Sequence, residues 1–175
     1  MNRKQFEAQA LELIGEKLIG VSYYEIAYEN ELRLWNSDSR FDSLDYGLDL
    51  ELSNGKSAGI IWGSEFYQYG ISIQKNSLQE QLRGNRKINA TTQSRWRNLI
   101  NSEITGVKII WSWVKQSGLL KPKTHYPQDL LLTFSNNETV FISALEVTDT
   151  GHHGLADNLT VFFSQAEAIK FGVGV

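Results

Sequence analysis

The chain has 175 residues, 41% of them hydrophobic and 11% aromatic, a length that argues for one domain with a sizeable core of its own. Charged residues at 21% and only two prolines argue against a disordered chain, and zero cysteine excludes disulfides, thiolate nucleophiles and every Cys-ligated metal site. The net charge is −3. Glu7, Gln9 and Glu12 interrupt the apolar stretch that a signal peptide needs after a basic start, and no apolar run approaches the roughly 20 residues of a spanning helix, so a cytoplasmic protein with no membrane contact is expected.

In chain order, Phe6, Ala10, Leu13, Ile14 and Leu18 recur at spacings of three and four, which predicts a helix over 3–19, weakened by Gly15. After Gly20 the period changes to two. Residues 21–29 read as an aromatic-rich strand, and Leu48, Leu50 and Leu52 alternate with Asp49 and Glu51 before Asn54-Gly55 turns the chain into a second strand over 57–62.

The second half follows the same order. Gly20-Val21 matches Gly106-Val107 at an offset of 86, and Ala10, Leu13, Ile14 and Leu18 fall at that offset on Trp96, Leu99, Ile100 and Ile104. The hairpin Leu48-x-Leu50-x-Leu52-Ser-Asn-Gly parallels Leu130-x-Leu132-x-Phe134-Ser-Asn-Asn at an offset of 82, and the closing segments 70–84 and 158–172 match at 88. The expectation is therefore an α+β fold in a single domain over 1–175, built from two tandem pseudo-repeats at about 3–84 and 91–172, each a helix followed by antiparallel strands. Each ends in a short helix, near 78–84 and 166–172. The cores are expected at Leu48, Leu50, Leu52 and Ile60 in one half and at Leu130, Leu132, Phe134 and Ile142 in the other. One continuous sheet and two packed sheets both fit this pattern.

Charge is segregated along the chain. Residues 25–51 hold Glu25, Glu29, Glu31, Asp38, Asp42, Asp45, Asp49 and Glu51 against two arginines, a local net of −6. Residues 75–123 carry +8 and the last 52 residues −5.

Signatures of catalysis are sparse. Gly55-Lys56-Ser57 would end a phosphate-binding loop, but Leu50 stands where that loop needs its first glycine, and the segment joins two strands. No nucleophile elbow is present. His125, before Tyr126-Pro127, reads as a solvated loop position. Asp149, His152, His153 and Asp157 share one glycine-bounded loop, yet adjacent histidines on extended backbone point apart, so neither metal nor cofactor is expected. Paired carboxylates such as Asp49 with Glu51, or Glu25 with Glu29, leave a small hydrolase as one alternative, although they are also the expected solvent faces of half-buried strands. The basic stretch 75–123, with Trp96 between Arg95 and Arg97, leaves nucleic-acid binding as another, against an acidic total. Trp62, Trp111 and Trp113 read as core filling, or as partner anchors where exposed.

A small cysteine-free α+β domain with no catalytic signature and strongly segregated charge resembles bacterial toxin-immunity proteins, of the kind found in polymorphic-toxin and contact-dependent inhibition systems, in general build and in no particular motif. The resemblance implies a non-catalytic protein that neutralises a cognate toxin domain by direct binding, with no cofactor. On the sequence, the recognition surface is expected to be the acidic set, Glu25, Glu29, Glu31, Asp38, Asp42, Asp45, Asp49 and Glu51, facing a basic surface on the toxin.

Overall fold

The alternating leucines at 48, 50 and 52 and their counterparts at 130, 132 and 134 all point inward, and together with Ile60 and Ile142 they are buried in one apolar cluster. The computed structural model describes residues 1–27, 36–115, 123–148 and 151–174. Two antiparallel sheets contribute to that single core, which makes the architecture two packed sheets with, among the described residues, three short helices.

The first sheet has the order β6-β5-β4-β1-β7, with β1 at Leu18–Glu25, β4 at Gly47–Leu52, β5 at Ser57–Gly63, β6 at Gly70–Gln74 and β7 at Arg86–Asn89. The second has the order β2-β3-β13-β10-β9-β8, with β2 at Asn36–Ser37, β3 at Phe41–Leu44, β8 at Ile104–Lys115, β9 at Lys123–Phe134, β10 at Thr139–Ser143 and β13 at Leu159–Phe162. Within each sheet four strands pair in succession with matching registers. Leu18 faces Leu52 and Val21 faces Leu50, with a register shift between Leu18 and Gly20. Ile104 faces Phe134 and Val107 faces Leu132, with a shift between Ile104 and Gly106. Leu48 opposes Ile60 as Leu130 opposes Ile142, and Ile60 opposes Ile73 as Ile142 opposes Val161.

Reciprocal bonds join the strand starts. The Gly15 N–H donates to the Ile104 carbonyl at 2.9 Å, and the Asn101 N–H donates to the Leu18 carbonyl at 2.7 Å. Both donors have positive φ, 89° and 67°, which glycine adopts freely and asparagine tolerates. Those turns also explain why the predicted helices are short. Helix α1 is Arg3–Leu11 and α2 is Ser94–Arg97, because Leu18 and Ile104, read as the last apolar helix positions, are the first residues of β1 and β8. Asn2 caps α1 through a reciprocal pair with Gln5.

The outer face of each sheet is covered by the segment after its last main strand. Leu78 and Leu82 pack on Tyr24 and Ile61 over the first sheet. This segment forms turns, where the sequence pattern predicted a helix. Helix α3, Gln165–Lys170, and Val173 cover Phe41, Phe141 and Phe162 on the second. Three further strands are not announced by the sequence pattern. Phe41–Leu44 enters the second sheet beside β13; its four residues are all buried, so no alternation announces it. Tyr126-Pro127 lies within β9, next to a register shift that accommodates the proline. The glycine-bounded loop forms a hairpin of β11, Leu145–Thr148, with β12, Gly151–Gly154.

Two variants separate packing from backbone conformation. Leu132 is fully buried, and Leu132→Ala should lower unfolding free energy by about 3 kcal/mol. Gly55 has a φ of 79° and open space around it, so Gly55→Ala should cost about 1 kcal/mol, from backbone strain alone. Urea unfolding measures both, and equal losses would contradict the assigned core.

Candidate functional site

The acidic set does not form one surface. Glu25, Asp42 and Asp49 are buried, where solvent-facing positions were expected, while Asp45 and Glu51 are half-buried. Glu29 and Glu31 lie outside the described residues, as does Asp149. The reason for the correction is that both faces of the strands are covered, a long-range property invisible in the local pattern.

Asp42 sits where the two sheets and α2 meet. Its Oδ2 accepts from the Tyr23 hydroxyl at 2.8 Å, and its Oδ1 accepts from Arg95 Nη2 at 2.6 Å. Trp96 Nε1 donates in turn to the Tyr23 oxygen. The Arg95 guanidinium also lies over the Phe163 ring, 4.9 Å from its centroid. Burial and the Asp42 charge hold the Tyr23 hydroxyl far above its ordinary pKa, so it acts here as a hydrogen-bond donor.

Asp49 is sealed beneath the 77–82 segment. Its Oδ2 accepts from Tyr24 Oη at 2.6 Å and Ser77 Oγ at 2.5 Å, and its Oδ1 from the Leu78 N–H at 2.9 Å. Burial and this carboxylate raise the Tyr24 pKa. Glu25 accepts the Asp45 N–H at 3.4 Å, and Asp45 accepts the Ile26 N–H at 3.1 Å. The Glu51 side chain lies over Gly20. Asp38 holds Arg40 through both carboxylate oxygens, and those hydrogen bonds press its pKa well down.

Asp129, absent from the sequence-based set, is the matching carboxylate under the second sheet's cover. It accepts from Ser143 Oγ at 2.6 Å and from the Gly174 N–H at 3.0 Å. Burial raises its pKa, outweighing those two bonds. The alternation Asp129-x-Leu131-x-Thr133 marks a second sheet face but says nothing of its cover.

Other candidates distribute as follows. His152 and His153 are exposed on β12 opposite Val147 and Glu146, and among the described residues no three metal-ligating side chains come together. A cavity of about 460 Å³ between α1 and the β5–β6 strands has one carboxylate in its lining, Glu12, held by Lys75 at 2.6 Å. An acid–base pair of glycosidase type requires two. Trp62 donates its indole N–H to the Asp45 carbonyl at 2.8 Å, and Trp96 is fully buried rather than presented between its arginines.

The remaining feature is an arm. The β8–β9 ladder runs on beyond Ile109 and Leu130, through Trp111 opposite Pro127 and Trp113 opposite His125, to Lys115 opposite Lys123. Its root is pinned by edge-on rings: Trp111 lies 4.9 Å from Phe66 and 6.0 Å from Phe6. The Trp111 indole also donates to Glu7 at 2.9 Å, while Arg3 lies 4.7 Å above the ring. The Arg3 hydrogen bond, with that indole, lowers the Glu7 pKa against the opposing effect of burial. Past this root Trp113 is 49% exposed, with Lys123 Nζ 3.5 Å from its ring centroid.

No helix among the described residues is long and apolar enough to cross a membrane. Comparison with family models, curated proteins and solved structures finds no match.

Two measurements check the buried carboxylates. Asp42→Ala should cost about 3 kcal/mol, because it removes the buried member of an ion pair together with the acceptor of the Tyr23 hydroxyl, whereas Asp38→Ala should leave the melting temperature unmoved. Asp129 should titrate above the ordinary aspartate value of about 3.9 in a carboxyl-carbon NMR series. A carboxyl with a raised native pKa stabilises fully below the unfolded value and loses that contribution as pH rises through the native one. The stability of the native chain relative to Asp129→Asn should therefore fall with pH across that interval, and a flat difference would contradict the assignment.

Proposed function

We propose that the protein is a non-catalytic binding protein of the immunity type, which neutralises a toxin domain by direct contact and meets it through the β8–β9 arm. The observation that carries this reading is Trp113, an exposed indole stacked under an ammonium group on a strand ladder that continues past the core. Large aromatic and cationic side chains of this kind are over-represented among interface hot spots. The buried carboxylates Asp42, Asp49 and Asp129 support it indirectly, since each is engaged in bonds that join structural elements. A toxin with a basic surface is the weaker form of the proposal, because of the acidic set only Asp38, Asp45 and Glu51, among the described residues, keep access to solvent.

We also infer that the two halves are tandem copies of one unit. Supporting this, Lys17 and Glu103, which are 86 residues apart, pair with one another, and the Ser53 and Ser135 N–H groups donate to their respective carbonyls. The small cavity of about 130 Å³ is lined by Arg95, Asn98, Leu99, Glu138, Thr139 and Phe163, at the sequence offsets from Gln9, Glu12, Leu13, Lys56, Ser57 and Lys75 of the large one.

Co-expression with the toxic domain encoded by an adjacent reading frame tests the function. The native chain should restore growth and co-purify with that domain, and Trp113→Ala should lose both at an unchanged melting temperature. Full rescue by Trp113→Ala would remove the arm from the interface, and no rescue by the native chain would overturn the immunity reading.

A further inference from the structure

We propose that the outer edge of β8 is a docking site for an extended segment of a partner protein, alternately apolar and acidic, which joins the second sheet as an added antiparallel strand. This rests on the binding reading above and specifies the partner's chemistry. The template lies within the molecule. In the first sheet the outer edge of β1 is covered by β7, with Ser22 opposite Asn89 and Glu25 opposite Arg86. Val21 engages that side with both backbone groups, donating to Thr91 Oγ1 at 3.0 Å and accepting the Ala90 N–H at 2.9 Å. In the second sheet β8 occupies the corresponding place, and among the described residues it is the terminal strand. Alternation along the strand turns the N–H and C=O groups of Val107, Ile109 and Trp111 to that side. At the offset of 88 shared by the closing segments, the counterpart of β7 would begin at Gly174, but Val173 is buried against Phe141 and Phe162, and the Gly174 N–H is bound to Asp129. The described end of the chain is thus committed elsewhere.

Side chains around the edge define the occupant. A groove of about 240 Å³ runs between α1 and β8, lined by Glu7, Ala10, Leu11, Val107, Lys108 and Ile109. Its four apolar members, among them Leu11 at 51% exposure, select apolar side chains on one face of an added strand. Lys108 is exposed on the face of β8 opposite Val107 and Ile109, and Lys115 and Lys123 are exposed at the far end of the ladder, while Glu7 is already bonded to Arg3 and Trp111. The uncompensated charge is positive, which selects carboxylates at the intervening positions. A second copy of the chain is disfavoured, because antiparallel edges would bring lysines of one copy towards lysines of the other.

The probe is a fluorescein-labelled octapeptide of alternating valine and glutamate, followed by anisotropy. Two N-methylated isomers are compared, one methylated on the valines and one on the glutamates. An added strand presents every other N–H to β8, so one isomer should match the parent and the other should bind at least about tenfold more weakly. Combined Lys108→Glu and Lys115→Glu should weaken the parent peptide about tenfold without lowering the melting temperature. Absence of binding at millimolar peptide, equal binding of the two isomers, preferential binding of oligothymidylate, or self-association of the chain through β8 would each overturn the proposal. The peptide result and the growth rescue are read independently, so failure of one is distinguishable from failure of the other.

Discussion

Asp42 is the constraint on which the assembly turns. A buried carboxylate with both oxygens engaged, by Tyr23 of one sheet and Arg95 of the helical turn, admits few alternative arrangements of the pieces around it. Ion pairs of this kind add little net stability compared with apolar packing, and losing one member is costly. Their contribution here is to fix how β3, β1 and α2 meet, while area burial by the leucine rows supplies the driving force. Asp49 and Asp129 repeat the logic on the outer faces. Each accepts one backbone N–H from the segment lying over it, Leu78 or Gly174, and a serine hydroxyl, from Ser77 of that segment or from Ser143 of the adjacent strand β10, and so ties a cover to a sheet.

The parts legible in the sequence were those with local causes. Leucine alternation, the Asn54-Gly55 turn and the eight named core positions depend on period-two patterning and turn chemistry, and all eight side chains are buried as that pattern requires. Helix length is not legible in the sequence, because Leu18 and Ile104 satisfy a helical spacing and a strand start equally well, and the positive φ of Gly15 and Asn101 decides between them. The strand Phe41–Leu44 was missed because a strand covered on both faces shows no alternation. Carboxylates were misplaced for the same reason: Asp49 stands on an outer face, and only the folded position of Leu78 and Ser77 turns that face inward.

These burials reverse the electrostatic reading of the molecule. Glu25, Asp42 and Asp49 of the acidic stretch are buried and hold elements together, whereas Lys108, Lys115 and Lys123 of the basic stretch are exposed on an edge strand and an arm. Lysines on such an edge serve two ends. They discourage pairing with like edges, and they favour a segment of opposite sign. The aromatic root of Phe6, Phe66 and Trp111 ties the base of the arm to the core through edge-on ring contacts.

The most direct test of this account is amide hydrogen exchange on the complex with the toxic domain. Slowed exchange at the outward N–H groups of Val107, Ile109 and Trp111, with residues 38–51 unchanged, is the predicted result. Protection confined to 38–51, with β8 exchanging as in the free chain, would contradict it.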